Sequence, residues 1–509
     1  MPDNKEENYE HNSYKSIEWI DTGRRQYRAT ADTVKMWMCD HITFNKEIRD
    51  LSDTLYNSKG LYSRVIDYIV ALPTLDKVIY GSNNKNKRYI TNREKYKNAL
   101  SKMKDDTLTR DIIRKLTKSG TYFGYFISEE LKSLKGSFSD YEIDAVAELN
   151  NKSNCGVISL PVDYCKIVGT ENSSYVLAFD MQYFDQFRTN GLSQRLMRYP
   201  KEIRDGYKKY NSSKSEKWLV LDNSKTVVLK ARADIDERWG RPLGLGAFLD
   251  ILFDQDYTEV KRDTVQRANG QVIYQTFPEG NKENKSVLSS AQQQKQHNDV
   301  RDAIHNRKNN SGVNFFSIAA GTALNELKID LSILDKIKDD ELIKKIATDL
   351  GFASSLLNGE ESNYSSQQNN LDLISAELFT WIKQIESEYD KVINANIIRD
   401  DKCEIHLNYL PMTHLNRDKI KNNAKELYTL GRGSLKVWIA ASGFNTDAYI
   451  ALMEEELAEG FDEKFPVHPT SFTQSPNENK PSEDNPTNEN TIKTKSNDAN
   501  NNPSPKGGE

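Results

Sequence analysis

The strongest pattern in the sequence is an apolar stripe between residues 371 and 398, and it predicts one long helix with a buried face. The large apolar side chains recur at steps of three or four residues, so they lie on one side of a helix. They are Leu371, Ile374, Leu378, Trp381, Ile382, Ile385, Tyr389, Val392 and Ile393. Any fold of this chain has to cover that stripe.

Three more helices are predicted before it, and they differ in character. Residues 289–307 are very polar, whereas two other segments have apolar residues at helical spacing. Residues 245–268 carry Leu249, Leu252, Phe253, Tyr257, Val260 and Ala268, and residues 331–350 carry Ile333, Leu334, Ile337, Ile343, Ile346 and Leu350. Segments 271–277 and 312–319 are predicted to be β structure. A polar linker, 351–370, leads into the long helix.

The first half of the chain mixes short helices and strands. Helices are predicted at 43–55 and 61–70, and a surface helix at 100–116. Strands are predicted at 121–127, 141–149, 157–160, 164–168, 174–180 and 226–229. Tyr122, Phe123, Tyr125 and Phe126 are interpreted as core. In a last strand, Cys403, Ile405, Leu407 and Tyr409 share one face. The pattern favours an α+β fold followed by a helical C-terminal part.

Composition limits the ends of the chain and its partners. Half of the 14 prolines lie at or after residue 466 among polar residues, so 463–509 are predicted to be disordered, as are residues 1–14. The net charge of -5 excludes a protein that coats nucleic acid through bulk positive charge. No apolar run approaches the roughly 20 residues of a membrane span. The N-terminus is unlike a signal peptide and no C-x-x-C pair occurs, so we expect cytoplasmic conditions.

The sequence contains none of the common short motifs of catalytic sites. No P-loop, G-x-S-x-G or H-E-x-x-H sequence is present. The carboxylates Asp234, Asp236 and Glu237, like those of residues 454–456, stand in runs and are interpreted as solvated faces. We therefore expect no catalytic residue, no metal and no cofactor, and a structural protein rather than an enzyme.

Several stretches, in order along the chain, resemble the portal proteins of tailed double-stranded DNA bacteriophages. Among them are LPVDYCKI (160–167) and LIKKIATDLGFASSLLNGEESNYSS (342–366). Residues 51–76, 237–280, 371–398 and 426–460 also resemble parts of that family. The resemblance covers most of residues 50 to 460, and the order and spacing of the pieces carry it.

The resemblance implies an α+β portal fold whose parts follow one another in a fixed order. These would be an N-terminal wing (15–240), a first stem helix (241–268), a clip (269–326), a second stem helix (327–350), a tunnel loop (351–370), a long wing helix (371–402) and a C-terminal wing and crown (403–462). It also implies a ring, usually of twelve subunits, at one capsid vertex of the virion. Implied partners are the terminase large subunit, a head-completion or adaptor protein, the major capsid and scaffold proteins, and DNA passing without sequence specificity. Assembly would take place in the host cytoplasm, with no membrane involved.

Two sets of candidate residues follow from that assignment. Leu249, Phe253, Ile337 and Ile343 on the stem helices are expected to contact the neighbouring subunit. The alternative is an ordinary hairpin within one chain. Asn358, Glu360, Glu361, Asn363, Ser365 and Gln367 are expected to face DNA, because small polar and acidic side chains do not hold phosphate. The alternative is a surface loop remote from DNA. Two other classes stay open: another connector or minor head protein, and a packaging enzyme.

Overall fold

The computed structural model describes residues 17–20, 26–81, 87–128, 155–187, 189–269, 273–280, 286–307, 318–326, 339–358 and 364–465. Its helices are α1 Ala31–Cys39, α2 Asn45–Ser58, α3 Gly60–Ala71, α4 Lys87–Met103, α5 Asp105–Ser119, α6 Thr189–Met197, α7 Lys201–Ser213, α8 Phe248–Asn269, α9 Ser290–Arg307, α10 Asp339–Asp349, α11 Ser354–Asn358, α12 Tyr364–Ile393, α13 Arg417–Thr429, α14 Leu435–Ala441, α15 Thr446–Ala458 and α16 Phe461–Lys464. Its strands are β1 Ile17–Ile20, β2 Gln26–Ala29, β3 Lys77–Gly81, β4 Thr121–Ile127, β5 Gly156–Ser159, β6 Cys165–Glu171, β7 Ser174–Asp180, β8 Trp218–Val220, β9 Thr226–Lys230, β10 Ile273–Thr276, β11 Ala323–Glu326 and β12 Ile405–Tyr409. The mixed α+β class is confirmed.

Strand β4 separates the two large hydrophobic cores. It is the middle strand of an antiparallel sheet with order β5-β4-β9, and all seven of its residues are buried. Tyr122 and Phe126 belong to the larger core, which the helices cover, while Phe123 and Tyr125 belong to the second core. Successive side chains of a strand point to opposite faces, which explains this division. The interpretation of these aromatic residues as core is confirmed.

Helix α12 occupies the larger core, as its stripe predicts. Leu378, Ile382, Ile385 and Tyr389 are almost completely buried there. The helix begins at Tyr364, earlier than predicted, and continues as a π-helical turn over Asn394–Ile398. No glycine or proline interrupts residues 364–398, so the helical hydrogen bonds extend through the polar residues before the stripe.

The surface helix predicted at 100–116 is wrong. The chain forms two helices here, α4 and α5, which meet at Lys104 in a left-handed backbone conformation with φ of 51°. Ile112, Ile113 and Leu116 of α5 are fully buried in the larger core. The sequence around these residues is mostly polar and so does not indicate that they are buried. Their burial results from α2 and α3, which pack on α5.

Two glycines let the chain cross itself just before α8. Gly120 has a φ of 70°, and a Cβ there would lie 2.3 Å from the Arg241 nitrogen. A Cβ on Gly240 would lie 2.0 Å from the Gly120 oxygen. The Arg241 amide donates to the Ala231 carbonyl at 3.0 Å, and the Gly240 amide donates to Thr121 Oγ1 at 2.7 Å. This crossing fixes where α8 leaves the body of the protein.

The C-terminal part returns to the N-terminal part through a sheet. Strand β12 pairs antiparallel with β3, with Leu407 opposite Ile79. Ile405, Leu407 and Tyr409 are buried, so the predicted alternation is confirmed. A small third core holds Leu410, Met412, Ala424, Ala440 and Ala441.

Some predictions fall outside the described residues. These are the strand at 141–149, residues 312–317 of the β segment predicted at 312–319, and the disordered ends apart from 463–465. Glu463 and Lys464 are helical in α16, so the tail predicted from 463 starts slightly too early. Strand β11 was not predicted. Among the described helices, none has both the length and the hydropathy to cross a bilayer.

Candidate stem and channel surfaces

Helix α8 packs on the body of the protein through its first half. Phe248, Ile251 and Leu252 are buried in the larger core. Lys59, just before α3, binds Asp254 of α8 at 3.0 Å. The last large side chain of α8 that the body covers, among those described, is Tyr257. The helix therefore starts in the body and runs out of it.

The predicted apolar face of α8 is only partly correct. Phe253 is 50% exposed and Val260 is 57% exposed, while Leu249 is partly buried against the larger core. Successive residues of a helix are about 100° apart around its axis, so Leu249, Phe253 and Val260 lie on a different side of α8 from Ile251. The sequence pattern did not indicate that Ile251 is buried. The body thus covers one apolar side of α8 and leaves a second one exposed. The side chain of Ala268 lies outside the described residues.

Helix α10 runs beside the start of α8. Lys345 Nζ binds Asp250 Oδ1 at 2.6 Å, and a hydrogen bond to Asp250, together with burial, raises the pKa of Asp349. Leu342 and Ile346 are buried and Ile343 is half-buried. The predicted helix 331–350 is confirmed from Asp339 onward, and Ile337 lies outside the described residues.

A small polar unit lies between these two helices in the sequence. Strands β10 and β11 pair antiparallel, with Gln275 opposite Leu324, and α9 lies between them in the chain. Ser289 and Gln292 form reciprocal hydrogen bonds that cap the start of α9. Val300 is the one buried apolar side chain among those described in α9. The described side chains of α9 therefore form a mainly polar surface.

The polar linker after α10 is fastened at both ends. Gly351 ends α10 with a φ of 85°, and the Phe352 amide donates to the Ala347 carbonyl at 2.9 Å. The Asn370 side chain donates to the Gly351 carbonyl at 3.0 Å and accepts from the Ala353 amide at 3.0 Å. Asn370 therefore lies beside the end of α10, and the two ends of segment 354–369 are close together.

The prediction of a loop over the whole of 351–370 is wrong. Residues 354–358 form α11, and α12 begins at Tyr364. Leu356 and Leu357 pack against the larger core, which favours a helix there. Asn358 is the last residue of α11, and Ser365 and Gln367 lie on α12. Glu360, Glu361 and Asn363 lie outside the described residues.

This part of the chain contains no cationic side chain. Residues 346–382 include no Lys, Arg or His, whereas Glu360 and Glu361 stand at its centre. A surface without cations does not release counterions from a phosphate backbone and so does not bind it.

Glu237 was misread as part of a solvated run. It is largely buried, accepts a hydrogen bond from His41 Nε2 at 2.9 Å and also binds Arg241. Burial acts to raise the pKa of Glu237, but its bonds to His41, to the Asp234 amide and to Arg241 outweigh this and lower it. Since His41 lies 196 residues away, no local pattern marks this contact. It helps to hold the start of α8.

A bidentate ion pair holds α12 to the same region. Arg232 Nε and Nη2 bind the two Glu377 carboxylate oxygens at 2.7 and 3.0 Å, and Arg232 also donates to the Leu243 carbonyl. Within the described ranges, no group of three or more His, Cys, Asp or Glu side chains could hold a metal ion. The ion pair between Arg232 and Glu377 holds α12 beside the chain segment that leads into α8.

A curated protein of prophage origin is similar to this chain over most of its length. No family model matches the sequence. It is 25% identical over 495 residues to the SPbeta prophage-derived uncharacterized protein YonE of Bacillus subtilis (strain 168), covering 93% of this chain and 91% of that protein.

Solved structures similar to this chain include parts of a gene transfer agent particle and a phage portal protein. The neck of a native gene transfer agent particle, computed with C12 symmetry, aligns with 79% of this chain and 94% of that chain at a TM-score of 0.45 and 9% identity. An HK97 family phage portal protein from Corynebacterium diphtheriae aligns with 70% of this chain and 93% of that chain at a TM-score of 0.31 and 12% identity. The second is of the class that the sequence resembles.

Proposed function

We propose that this chain is a portal subunit, which forms a ring at one vertex of a phage capsid and surrounds the channel for DNA. The path of the chain between Phe248 and Ile393 carries this proposal. Helix α8 leaves the body, a polar β10-α9-β11 unit follows, α10 returns to α8, a short excursion follows, and α12 crosses the core. This is the order of stem, clip, stem, tunnel loop and long wing helix that the sequence resemblance implies.

A viral origin agrees with the name of the relative. YonE is described as prophage-derived, and its similarity extends over almost the whole of both chains. We therefore place this protein in a virion, assembled in the cytoplasm of its host, with a structural role and no catalytic one.

Ring closure requires two different surfaces on each subunit, because the contact is head-to-tail. Leu249, Phe253, Ile337 and Ile343 remain our stem candidates. Phe253 is the strongest of them, since it is half exposed in a single chain. Leu249 and Ile343 are both partly buried within their own chain, so changing them would also disturb the fold.

The excursion around Glu360 and Glu361 is proposed to reach into the channel. Its ends are joined through Asn370, which would hold the projection in place while DNA moves past it. The lack of cations in residues 346–382 would keep it from binding phosphate.

The polar unit around α9 is proposed to bind the proteins that act at the vertex in turn. These are the terminase large subunit during packaging, and a head-completion or adaptor protein afterwards. Major capsid and scaffold proteins would contact the outer part of the ring. An exposed polar helix suits partners that bind and then leave.

Light scattering on the purified protein, with negative-stain images of the same peak, tests the proposal. We expect a ring with a central hole and a mass of roughly 700 kDa, twelve times the 58.3 kDa chain mass. Persistent monomers at high concentration and with scaffold present would contradict it and favour another connector or minor head protein. ATPase or protease activity of the pure protein would instead favour a packaging enzyme.

A further inference from the structure

Helix α15 has an apolar stripe that the described part of the chain leaves largely exposed, although Tyr449 at its start contacts Phe444. None of the residues Thr446–Ala458 is buried. Tyr449, Met453 and Leu457 follow at four-residue steps and are 37%, 44% and 76% exposed, so they share one side of the helix. Because a short helix depends on packing for its stability, this side requires a cover from elsewhere.

Acidic side chains surround that stripe. Glu454, Glu455, Glu456 and Glu459 are all exposed, and none forms an ion pair with a basic side chain in the described part of the chain. The beginning of α15 differs, because Asp447 binds Arg93 at 3.2 Å and Lys97 at 2.7 Å. Helix α15 is thus fastened to α4 at its first turn and extends its acidic end away from that contact.

The other flank of α4 carries a basic groove. It is shallow, has a volume of about 630 Å³, and is lined by Lys87, Arg88, Lys95 and Arg399 with a single carboxylate, that of Asp400. Asp400 accepts a hydrogen bond from the Asn92 side chain at 3.3 Å. The groove therefore has an excess of positive charge and is open to solvent.

The acidic helix and the basic groove lie on opposite sides of α4. Arg93 and Lys97 bind α15, whereas Thr91 and Lys95 line the groove. Successive residues of a helix are about 100° apart around its axis, so the two pairs point in directions about 160° apart. One chain cannot bring its own α15 across to the groove while Asp447 stays bound. A head-to-tail contact needs two such different and complementary surfaces on opposite sides of the subunit.

We infer that α15 of one copy binds the α4 groove of the next copy around the ring. This contact rests on the proposed ring and adds a second contact, remote in sequence from the stem. The chain's own C-terminal segment fits α15 less well. Residues 466–509 contain four Lys and six Asp or Glu, so their net charge is negative and matches the glutamates of α15 less well than the basic groove does.

Charge reversal on each side tests the contact in the full-length protein. One variant carries Lys87→Glu and Lys95→Glu, and the other carries Glu454→Lys and Glu456→Lys. Each alone should need at least about tenfold more protein to form rings, because like charges then meet at every contact. An equimolar mixture should restore rings, because alternating copies bring opposite charges together throughout. Lys209→Glu and Glu216→Lys, both at exposed positions, are the matched controls and should assemble normally.

The outcomes separate this contact from the ring itself. A wild-type protein that never forms rings overturns both. Rings formed by each variant alone overturn this contact and leave the portal assignment intact. In a further outcome, the mixture of the two variants fails to form rings while a single chain with all four substitutions forms them. That result would place the contact between α15 and the groove within one subunit and would refute the proposed contact between copies. Hydrogen exchange of α15 in monomers provides a second test. If deleting residues 466–509 removes the protection of α15, the C-terminal segment covers the apolar stripe and the contact between copies is refuted.

Discussion

At the scale of single residues, Asp163 joins the two large cores. It lies in the 3₁₀ turn between β5 and β6, and accepts hydrogen bonds from Arg49 of α2 at 2.7 Å and from Lys46 at 3.4 Å. Arg49 also binds Asn45, whose side chain donates to the Gly240 carbonyl. One carboxylate thus connects the second core to the crossing from which α8 starts.

Asp163→Asn should lower the free energy of unfolding by about 1–2 kcal/mol at pH 7, since it weakens charge-assisted hydrogen bonds. Burial acts to raise the pKa of Asp163, but Arg49 and Lys46 outweigh it and hold the pKa below its usual value. The stability from this group is therefore present above the unfolded pKa of about 3.9 and is lost as the pH falls through the folded pKa.

Urea unfolding at pH 7, 5 and 3 measures this effect. The difference between wild type and variant should be full at pH 7 and 5 and should shrink at pH 3. Asp205→Asn, at an exposed ion pair, is the control and should leave the midpoint unchanged at pH 7. An equal effect of both substitutions would show that Asp163 does not join the cores.

At the scale of elements, α8 has two apolar sides with different destinations. One, with Ile251 and Leu252, is buried in its own chain, while Phe253 and Val260 face outward. An exposed apolar stripe on a helix that leaves the body is typical of a contact with another molecule. The same helix thus serves the fold of one subunit and, in our proposal, the joining of two.

Replacing both Phe253 and Val260 with Glu should give folded monomers. The two side chains are about half exposed in one chain, so the fold loses little, whereas a charged stem contact prevents closure. Light scattering reports the mass, and circular dichroism reports the fold. Ile235→Glu, at an exposed apolar residue of the body that is not on a helix, should form normal rings. Intact rings of the double variant would exclude this stripe from the contact.

At the scale of the whole molecule, a ring has to let DNA slide through without holding it. The acidic excursion between α10 and α12 is proposed to supply a surface of that kind. A net charge of -5 for the whole chain agrees with a channel that does not attract phosphate.

Glu360→Lys with Glu361→Lys should leave ring assembly unchanged and reduce the DNA packaged per head. The added cations bind the phosphate backbone through counterion release, so the defect should weaken as the salt concentration rises. DNA protected from nuclease in a packaging reaction with the matching heads and motor measures it. The charge-neutral variant Glu360→Gln with Glu361→Gln is the control. Normal packaging by the lysine variant, at every salt concentration, would place this excursion outside the channel.

The sequence by itself determined the elements whose signal is periodic. The stripe of α12, the bounds of β4 and the alternation of β12 could be read because spacing is a property of consecutive residues. The order of the helices from 245 to 398 was available for the same reason, whereas the portal hypothesis came from the resemblance of particular stretches of sequence to that family.

Tertiary structure alone decided which faces are used. Four features depend on residues elsewhere in the chain. They are the buried side of α8, the break between helices at Lys104, the bonds of Asn370 to the end of α10, and the burial of Glu237. Glu237 and His41 are 196 residues apart, and no local spacing encodes such a pair. Burial and pairing are properties of neighbours in space, and those neighbours are far apart in the sequence.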